Sequence, residues 1–184
     1  MNFLIRGISE FIIVIPLAFI IFSPYFLYIR YVLKIKKEWN SVEILCEFLW
    51  LLMLLAILNI TGIIGSIVDG NFSVDSIGNG RSYVDFNILS DDLSLATILN
   101  IILFIPFGFF TIMVFKRFAA GVLVGFFLSV SIEALQLFTG RFVQLEDILM
   151  NTLGMVIGCL LAFLVFKLQD KGYITIGSWC SRKL

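Results

Sequence analysis

Five apolar runs, each about long enough to cross a lipid bilayer, constrain this chain more than any other feature of its sequence. A membrane-spanning helix needs about 20 consecutive, mostly apolar residues. Runs of this kind lie near residues 8–29, 44–68, 96–115, 118–139 and 148–166. Of the 184 residues, 60% are hydrophobic, whereas soluble domains contain roughly 45–50% apolar residues. The sequence therefore predicts an all-α fold, a polytopic membrane helix bundle with about five transmembrane helices.

Lysine and arginine residues are unequally divided between the two sides that these spans define. Ten of them lie on one side: Arg30, Lys34, Lys36, Lys37, Lys116, Arg117, Lys167, Lys171, Arg182 and Lys183. Three lie on the other side: Arg6, Arg81 and Arg141. Because cytoplasmic loops carry the excess of basic residues, the pattern predicts an external N-terminus and a cytoplasmic C-terminus.

The spans divide the chain into three regions. Residues 1–81 hold two transmembrane helices and the start of an external loop, residues 82–166 form a core of three transmembrane helices, and residues 167–184 form a cytoplasmic tail. In the external loop 69–95, "NG" at 79–80 followed by the alternating "RSYVDFNIL" predicts a turn and a short strand. This loop is either a solvated connector or a lid over an external pocket.

Small and polar residues share one face in each of the last three predicted helices. Small residues at helical spacing let the backbones of membrane helices approach closely. The pattern therefore predicts that these three helices pack together along the following faces: Asn100, Phe104 and Gly108; Gly121, Gly125, Ser129, Glu133 and Gln136; and Asp147, Asn151, Gly154 and Gly158.

The strongly polar members of these faces lie at the same, external end of the three helices. A carboxyl group at the centre of a spanning helix costs about 2.5–3.5 kcal/mol, so such a group faces the bundle and has a partner. Arg141 is the natural partner for Glu133 or Asp147. The cluster either fastens the helices together or forms a functional site open to the outer face. Glu10, near a helix end, is expected to extend to the lipid headgroups.

Several classes of function are disfavoured. The net charge of zero argues against a nucleic-acid binder. The sequence has no histidine, and its three cysteines are far apart, so it predicts no zinc site and no disulfide framework. No cofactor and no metal site are predicted, although the carboxylate cluster leaves open a divalent cation such as Mg²⁺ or Mn²⁺.

The polar residues also carry a family resemblance. The stretches "NIILFIPFGF" and "SIEALQLFTGRFVQLEDILMNTLGMVIG" resemble the VanZ-like family of bacterial membrane proteins. The resemblance implies a multi-pass protein of the bacterial plasma membrane, in a family whose namesake gives low-level resistance to the lipoglycopeptide teicoplanin. The family pattern falls on Asn100, Pro106, Gly108, Glu133, Gln136, Arg141, Asp147, Asn151 and Gly154.

Two hypotheses of function follow. In the first, an outward-facing polar pocket binds a membrane lipid headgroup, a lipoglycopeptide or a lipid-linked wall-precursor moiety. In the second, the chain is an intramembrane enzyme acting on a lipid or lipid-linked substrate, with Glu133 as general base and Asp147 as second acid or metal ligand. Both assign substrate binding to Asn100, Gln136, Arg141 and Asn151, and structural roles to Pro106, Gly108, Gly125, Gly154 and Gly158.

Overall fold

The protein is a bundle of long helices joined by short connections. The structure, a computed structural model, describes residues 3–33, 40–74, 84–85, 95–141 and 143–175. Within them the α-helices are α1 (Phe3–Leu27), α2 (Ser41–Ile60), α3 (Ile63–Val68), α4 (Leu95–Phe115), α5 (Phe118–Leu137) and α6 (Leu145–Asp170). A π-helical turn, Tyr28–Val32, extends α1, and two short strands, β1 (Val84–Asp85) and β2 (Val143–Gln144), pair in parallel.

The all-α prediction of about five spans is confirmed. Five helices are long and apolar enough to cross a membrane: α1, α2, α4, α5 and α6. Large apolar side chains such as Ile13 and Phe127 stand more than 60% exposed on the outside of the bundle. In water such a surface would be a binding face or an aggregation hazard, whereas here it is the surface that meets lipid.

The second predicted span ends earlier than its hydropathy indicates. We predicted one helix near 44–68, but α2 stops at Ile60 and the separate short helix α3 follows. Gly62 adopts a left-handed conformation with φ of +81°, which breaks the helix at a position that favours glycine. At its other end α2 is capped by Asn40, whose side-chain oxygen accepts from the Val42 amide at 3.0 Å.

The contact between α4 and α6 is the closest in the bundle, and glycines on both helices make it possible. A Cβ added at Gly154 would fall on the carbonyl oxygen of Ile101, and one at Gly158 would fall on that of Ile105. A Cβ at Gly108 would fall on the carbonyl oxygen of Met155. Because these neighbours are backbone atoms, the two helices could accept a side chain only by separating.

The loop 69–95 contributes a short strand, as predicted. Val84 pairs with Val143 and Asp85 with Gln144, which places β1 against the segment between α5 and α6. The predicted turn at 79–80 lies outside the described residues. The loop is also attached at its start, where the Ser73 amide donates to the Phe138 carbonyl at 3.0 Å and the rings of Phe72 and Phe138 stack.

Candidate functional site at the polar end of the bundle

Several hydrogen bonds that polar side chains make from one helix to another lie at the same end of the bundle. We call this end the polar end. They link α1 with α2, α2 with α5, and α4 with α6. The connection between α5 and α6, with β2, lies at the same end. The opposite end carries Lys116, Arg117, Lys167 and Lys171, where α4 passes to α5 and where α6 ends. These four basic residues therefore lie at the end of the spans opposite the polar end.

Glu133, on the last turns of α5, is the most deeply buried carboxylate of the polar end. Its side chain is 3% exposed. One carboxylate oxygen accepts from the backbone amide of Gln144 at 3.2 Å, and this is the donor that Glu133 finds among the described residues. An ionised carboxylate has two oxygens and room for about four donors. Most of the hydrogen-bonding capacity of Glu133 is therefore unfilled by this part of the chain.

Asp147 and Glu146, on the first turn of α6, each bind a polar side chain of α4. The Asn100 amide nitrogen donates to Asp147 at 2.6 Å, and the Thr97 hydroxyl donates to Glu146 at 3.1 Å. A carboxylate in the first turn also faces the unpaired amides and positive dipole of its helix. The two bonds hold the ends of α4 and α6 together just above the contact made by Gly154.

At the end of α2, one backbone carbonyl accepts hydrogen bonds from two side chains, which the sequence did not indicate. The Thr61 carbonyl, at the C-terminal cap of α2, accepts from the Gln136 amide nitrogen at 3.2 Å and from the Arg141 guanidinium. A helix C-terminus leaves its last carbonyls without intrahelical partners and carries a partial negative charge. Gln136 is 7% exposed, whereas Arg141 is exposed at the rim.

The pairing of Arg141 expected from the sequence is not the one found. We expected an ion pair with Glu133 or Asp147, but within the described part of the chain Arg141 donates to the Thr61 carbonyl instead. Both carboxylates remain close enough for the Arg141 charge to act on them. Arg141 thus attaches the α5–α6 connection to α2. Its charge acts on the two carboxylates at a distance, but among the described residues it forms no ion pair with either.

Asn151 lies one helical turn below Asp147, on the buried face of α6. Its side chain is 3% exposed and bonds the hydroxyl of Ser129 on α5 at 3.0 Å. This bond joins the polar faces of the two helices, as the matching spacing of their polar residues suggested. In this bond the Ser129 oxygen accepts, and among the described residues no bond joins Ser129 to Glu133.

One residue of the polar end, Glu10, was assigned otherwise from the sequence, and its partner, Asn59, was not assigned a role. The Asn59 amide on α2 donates to the Glu10 carboxylate on α1 at 2.7 Å and to the Glu10 carbonyl at 3.1 Å. We expected Glu10 to extend to the lipid headgroups, but it binds a neighbouring helix. The signal was present in "LLAILNITG", because an amide in an otherwise apolar span needs a partner within the bundle.

A family model described as VanZ/LLP1 matches residues 48–166, more than half of the chain. The chain belongs to the VanZ/LLP1 family. No curated protein and no solved structure matches it. The family match begins inside α2, so it takes in Asn59 and Thr61 as well as the later motifs. The VanZ/LLP1 region thus contains every described hydrogen bond of the polar end except those that reach Glu10.

The side chains of the VanZ/LLP1 polar end differ in how much hydrogen-bonding capacity they keep. Within the described residues, no group of three histidine, cysteine, aspartate or glutamate side chains is arranged to hold a metal. The nearby hydroxyls are engaged: Ser129 with Asn151, and Ser131 with the Phe127 carbonyl at 2.7 Å on an exposed face. The carboxylate of Glu133 and the guanidinium of Arg141 are two charged groups of the polar end that keep hydrogen-bonding capacity within the described residues.

Proposed function

We propose that this VanZ/LLP1 protein binds the polar group of an amphiphile at the polar end, which faces the outside of the cell. The amphiphile is a lipid headgroup, a lipoglycopeptide such as teicoplanin, or a lipid-linked wall-precursor moiety. The orientation rests on the ten basic residues grouped against three. Family membership supports the coarser part of this proposal, a membrane protein of the cell envelope with a link to resistance.

One observation carries the proposal, the burial of Glu133 with a single donor. Burying a carboxylate without partners is expensive, and membrane proteins retain such groups mainly where they have a function. A helix fastener buried as deeply as Glu133 would be expected to fill its hydrogen bonds within the protein, whereas the less buried Asp147 can leave its second oxygen to water. Glu133 instead keeps one oxygen without a donor among the described residues.

The serine hydroxyls favour binding over nucleophilic catalysis. Ser129, four residues before Glu133, bonds Asn151, and Ser131 bonds its own helix on the exposed face. A serine nucleophile needs a base within hydrogen-bonding distance. The enzyme hypothesis is therefore left with a water or metal-bound nucleophile, and we place it second.

The proposal is tested by comparing Glu133→Gln with Ser131→Ala in bacteria that express the full chain. The first change keeps shape and hydrogen-bonding capacity but removes the charge, and the second alters an exposed hydroxyl of the same helix. We measure the inhibitory concentration of teicoplanin and of a glycopeptide without a lipid tail, with membrane levels checked by immunoblot.

We expect wild type and Ser131→Ala to protect equally, with selectivity for the lipid-bearing drug, and Glu133→Gln to give no protection at unchanged membrane level. Full protection by Glu133→Gln would leave Glu133 as a helix fastener. Absence of protection by wild type would remove the lipoglycopeptide from the candidates and leave the membrane lipid and wall precursor.

A further inference from the structure

We infer that the polar end takes a primary ammonium group of a phospholipid headgroup, which donates hydrogen bonds to the unfilled acceptors of Glu133 and Gln136. The inference rests on the proposed function and names the class of its ligand. It follows from which donors and which acceptors of the cluster remain unused within the described residues.

The side-chain amides of the cluster each have one N–H engaged inside the protein. The Gln136 amide nitrogen binds the Thr61 carbonyl, which can only accept, so the assignment of nitrogen and oxygen in this side chain is fixed. The Asn100 nitrogen binds the Asp147 carboxylate in the same way. Each amide nitrogen keeps one further N–H, but these donors are neutral, so a ligand that offers only acceptors would leave the Glu133 carboxylate without a partner.

Several acceptors of the cluster also have no donor, and one of them belongs to a carboxylate. Among the residues that the structure describes, no donor reaches the second oxygen of Glu133 or the side-chain oxygens of Gln136 and Asn100. Glu133 and Gln136 are 3% and 7% exposed, so bulk water does not fill these positions freely. A buried acceptor without a donor costs about 1–3 kcal/mol, which a ligand with several N–H groups would recover.

The charge of the cluster points the same way. Glu133, Glu146 and Asp147 are acidic and Arg141 is basic, so these four side chains carry a net charge of −2 when ionised. Arg141 is directed at the Thr61 carbonyl, away from a direct ion pair with the acids. A buried carboxylate is stabilised by a cation only when the pair is also hydrogen-bonded. An ammonium group supplies both the charge and the donors.

A primary ammonium fits better than the other cationic and polar groups at a membrane surface. It has three N–H donors, whereas a quaternary ammonium has none and is normally held by aromatic rings. Sugar hydroxyls donate but leave the acidic charge unpaired. A phosphate attached to the ammonium would meet the exposed Arg141 at the rim, where a guanidinium keeps further N–H donors for oxyanions.

The test uses native mass spectrometry of the full chain, reconstituted with phosphatidylethanolamine, phosphatidylcholine and phosphatidylglycerol of identical acyl chains. These lipids share the phosphate and differ in primary ammonium, quaternary ammonium and hydroxyl. We expect about tenfold greater retention of phosphatidylethanolamine than of either other lipid, the size of one charge-assisted hydrogen bond. Glu133→Gln should remove this preference, and Ser131→Ala should keep it.

Asp147→Asn provides a second variant in case Glu133→Gln fails to fold. An asparagine can still accept from Asn100, so the bond between α4 and α6 is kept while one negative charge is lost. We expect the preference for phosphatidylethanolamine to fall severalfold. Soluble ethanolamine is then added as a competitor. If it displaces the lipid, the headgroup alone is recognised. If it does not, binding requires the headgroup attached to its acyl chains. Displacement supports an ammonium ligand, and without displacement the selectivity among the three lipids decides the assignment.

Equal retention of all three lipids by wild type, all lost in Glu133→Gln, would overturn the ammonium assignment but preserve the proposed binding function. If neither the Glu133 nor the Asp147 substitution changes the retention of any lipid, both the ammonium assignment and the proposed binding function are overturned. Preferential retention of phosphatidylglycerol would also overturn the ammonium assignment, because it would make Arg141 the principal contact.

Discussion

Replacing Gly158 with alanine tests whether the close approach of α4 and α6 holds the bundle together. The added methyl group would fall on the carbonyl oxygen of Ile105 and within 2.8 Å of the Phe109 nitrogen. Both are backbone atoms of α4, so they can yield only if the helix moves. Overpacking of this kind costs about 1–3 kcal/mol, whereas replacing glycine by alanine within a helix returns at most about 1 kcal/mol. We therefore expect a net loss of stability.

Two matched variants separate the packing effect from helix propensity. At Gly125 the added carbon would meet Cγ, Sδ and Cβ of Met155. Rotation of this side chain moves Cγ and Sδ but not Cβ, so Gly125→Ala should lower stability, but by less than Gly158→Ala, where both neighbours are backbone atoms. At Gly65, on α3, no atom lies within 4 Å of the added carbon, so Gly65→Ala should be neutral or stabilising by up to about 1 kcal/mol.

The assay is reversible unfolding of each variant in mixed micelles, followed by circular dichroism. The free energy of unfolding should be highest for Gly65→Ala, lower for Gly125→Ala and lowest for Gly158→Ala. A Gly158→Ala protein as stable as Gly65→Ala would refute the reasoning, because it would show that the two backbones are not in contact.

Three further changes test other parts of the structure. A cysteine replacing the exposed Val74 in a cysteine-free chain should react with a membrane-impermeant maleimide in intact cells, and labelling only after permeabilisation would reverse the orientation. A double-mutant cycle on Asn100 and Asp147 should give a coupling energy of about 1.5–3 kcal/mol in unfolding experiments, and a coupling near zero would contradict the 2.6 Å bond. Asn59→Leu should lower stability by about 1 kcal/mol by removing the bonds to Glu10, and unchanged unfolding would show that α1 is held by apolar contacts alone.

The helices could be predicted from the sequence because lipid imposes a simple requirement of about 20 apolar residues per span. The same requirement hid the end of α2. Gly62 lies between the apolar stretches "LLAIL" and "II", so the mean hydropathy stays high across the left-handed turn that ends the helix. The strand Val84–Asp85 was predictable from alternation, but its pairing with Val143–Gln144 depends on the folded positions of α5 and α6.

The sequence showed which polar residues of the site share a face of each helix, but it did not show their hydrogen-bond partners. Spacing placed Glu133 and Gln136 on one face of α5, since side chains three or four residues apart share a face. It could not show that Gln136 and Arg141 both bind the Thr61 carbonyl, because a backbone acceptor leaves no mark in the sequence. Nor could it show that the amide of Gln144 is the donor to Glu133, since every residue except proline has such an amide.

The central claim is that the unfilled side of Glu133 receives a ligand from the membrane. The most direct measurement is an experimental structure of the full chain, purified and crystallised with phosphatidylethanolamine in a lipidic phase. The claim predicts headgroup density within hydrogen-bonding distance of the Glu133 carboxylate and the Gln136 side-chain oxygen. If protein donors alone complete the bonds of Glu133 and no density lies beside it, the claim is contradicted and Glu133 serves to hold the helices together.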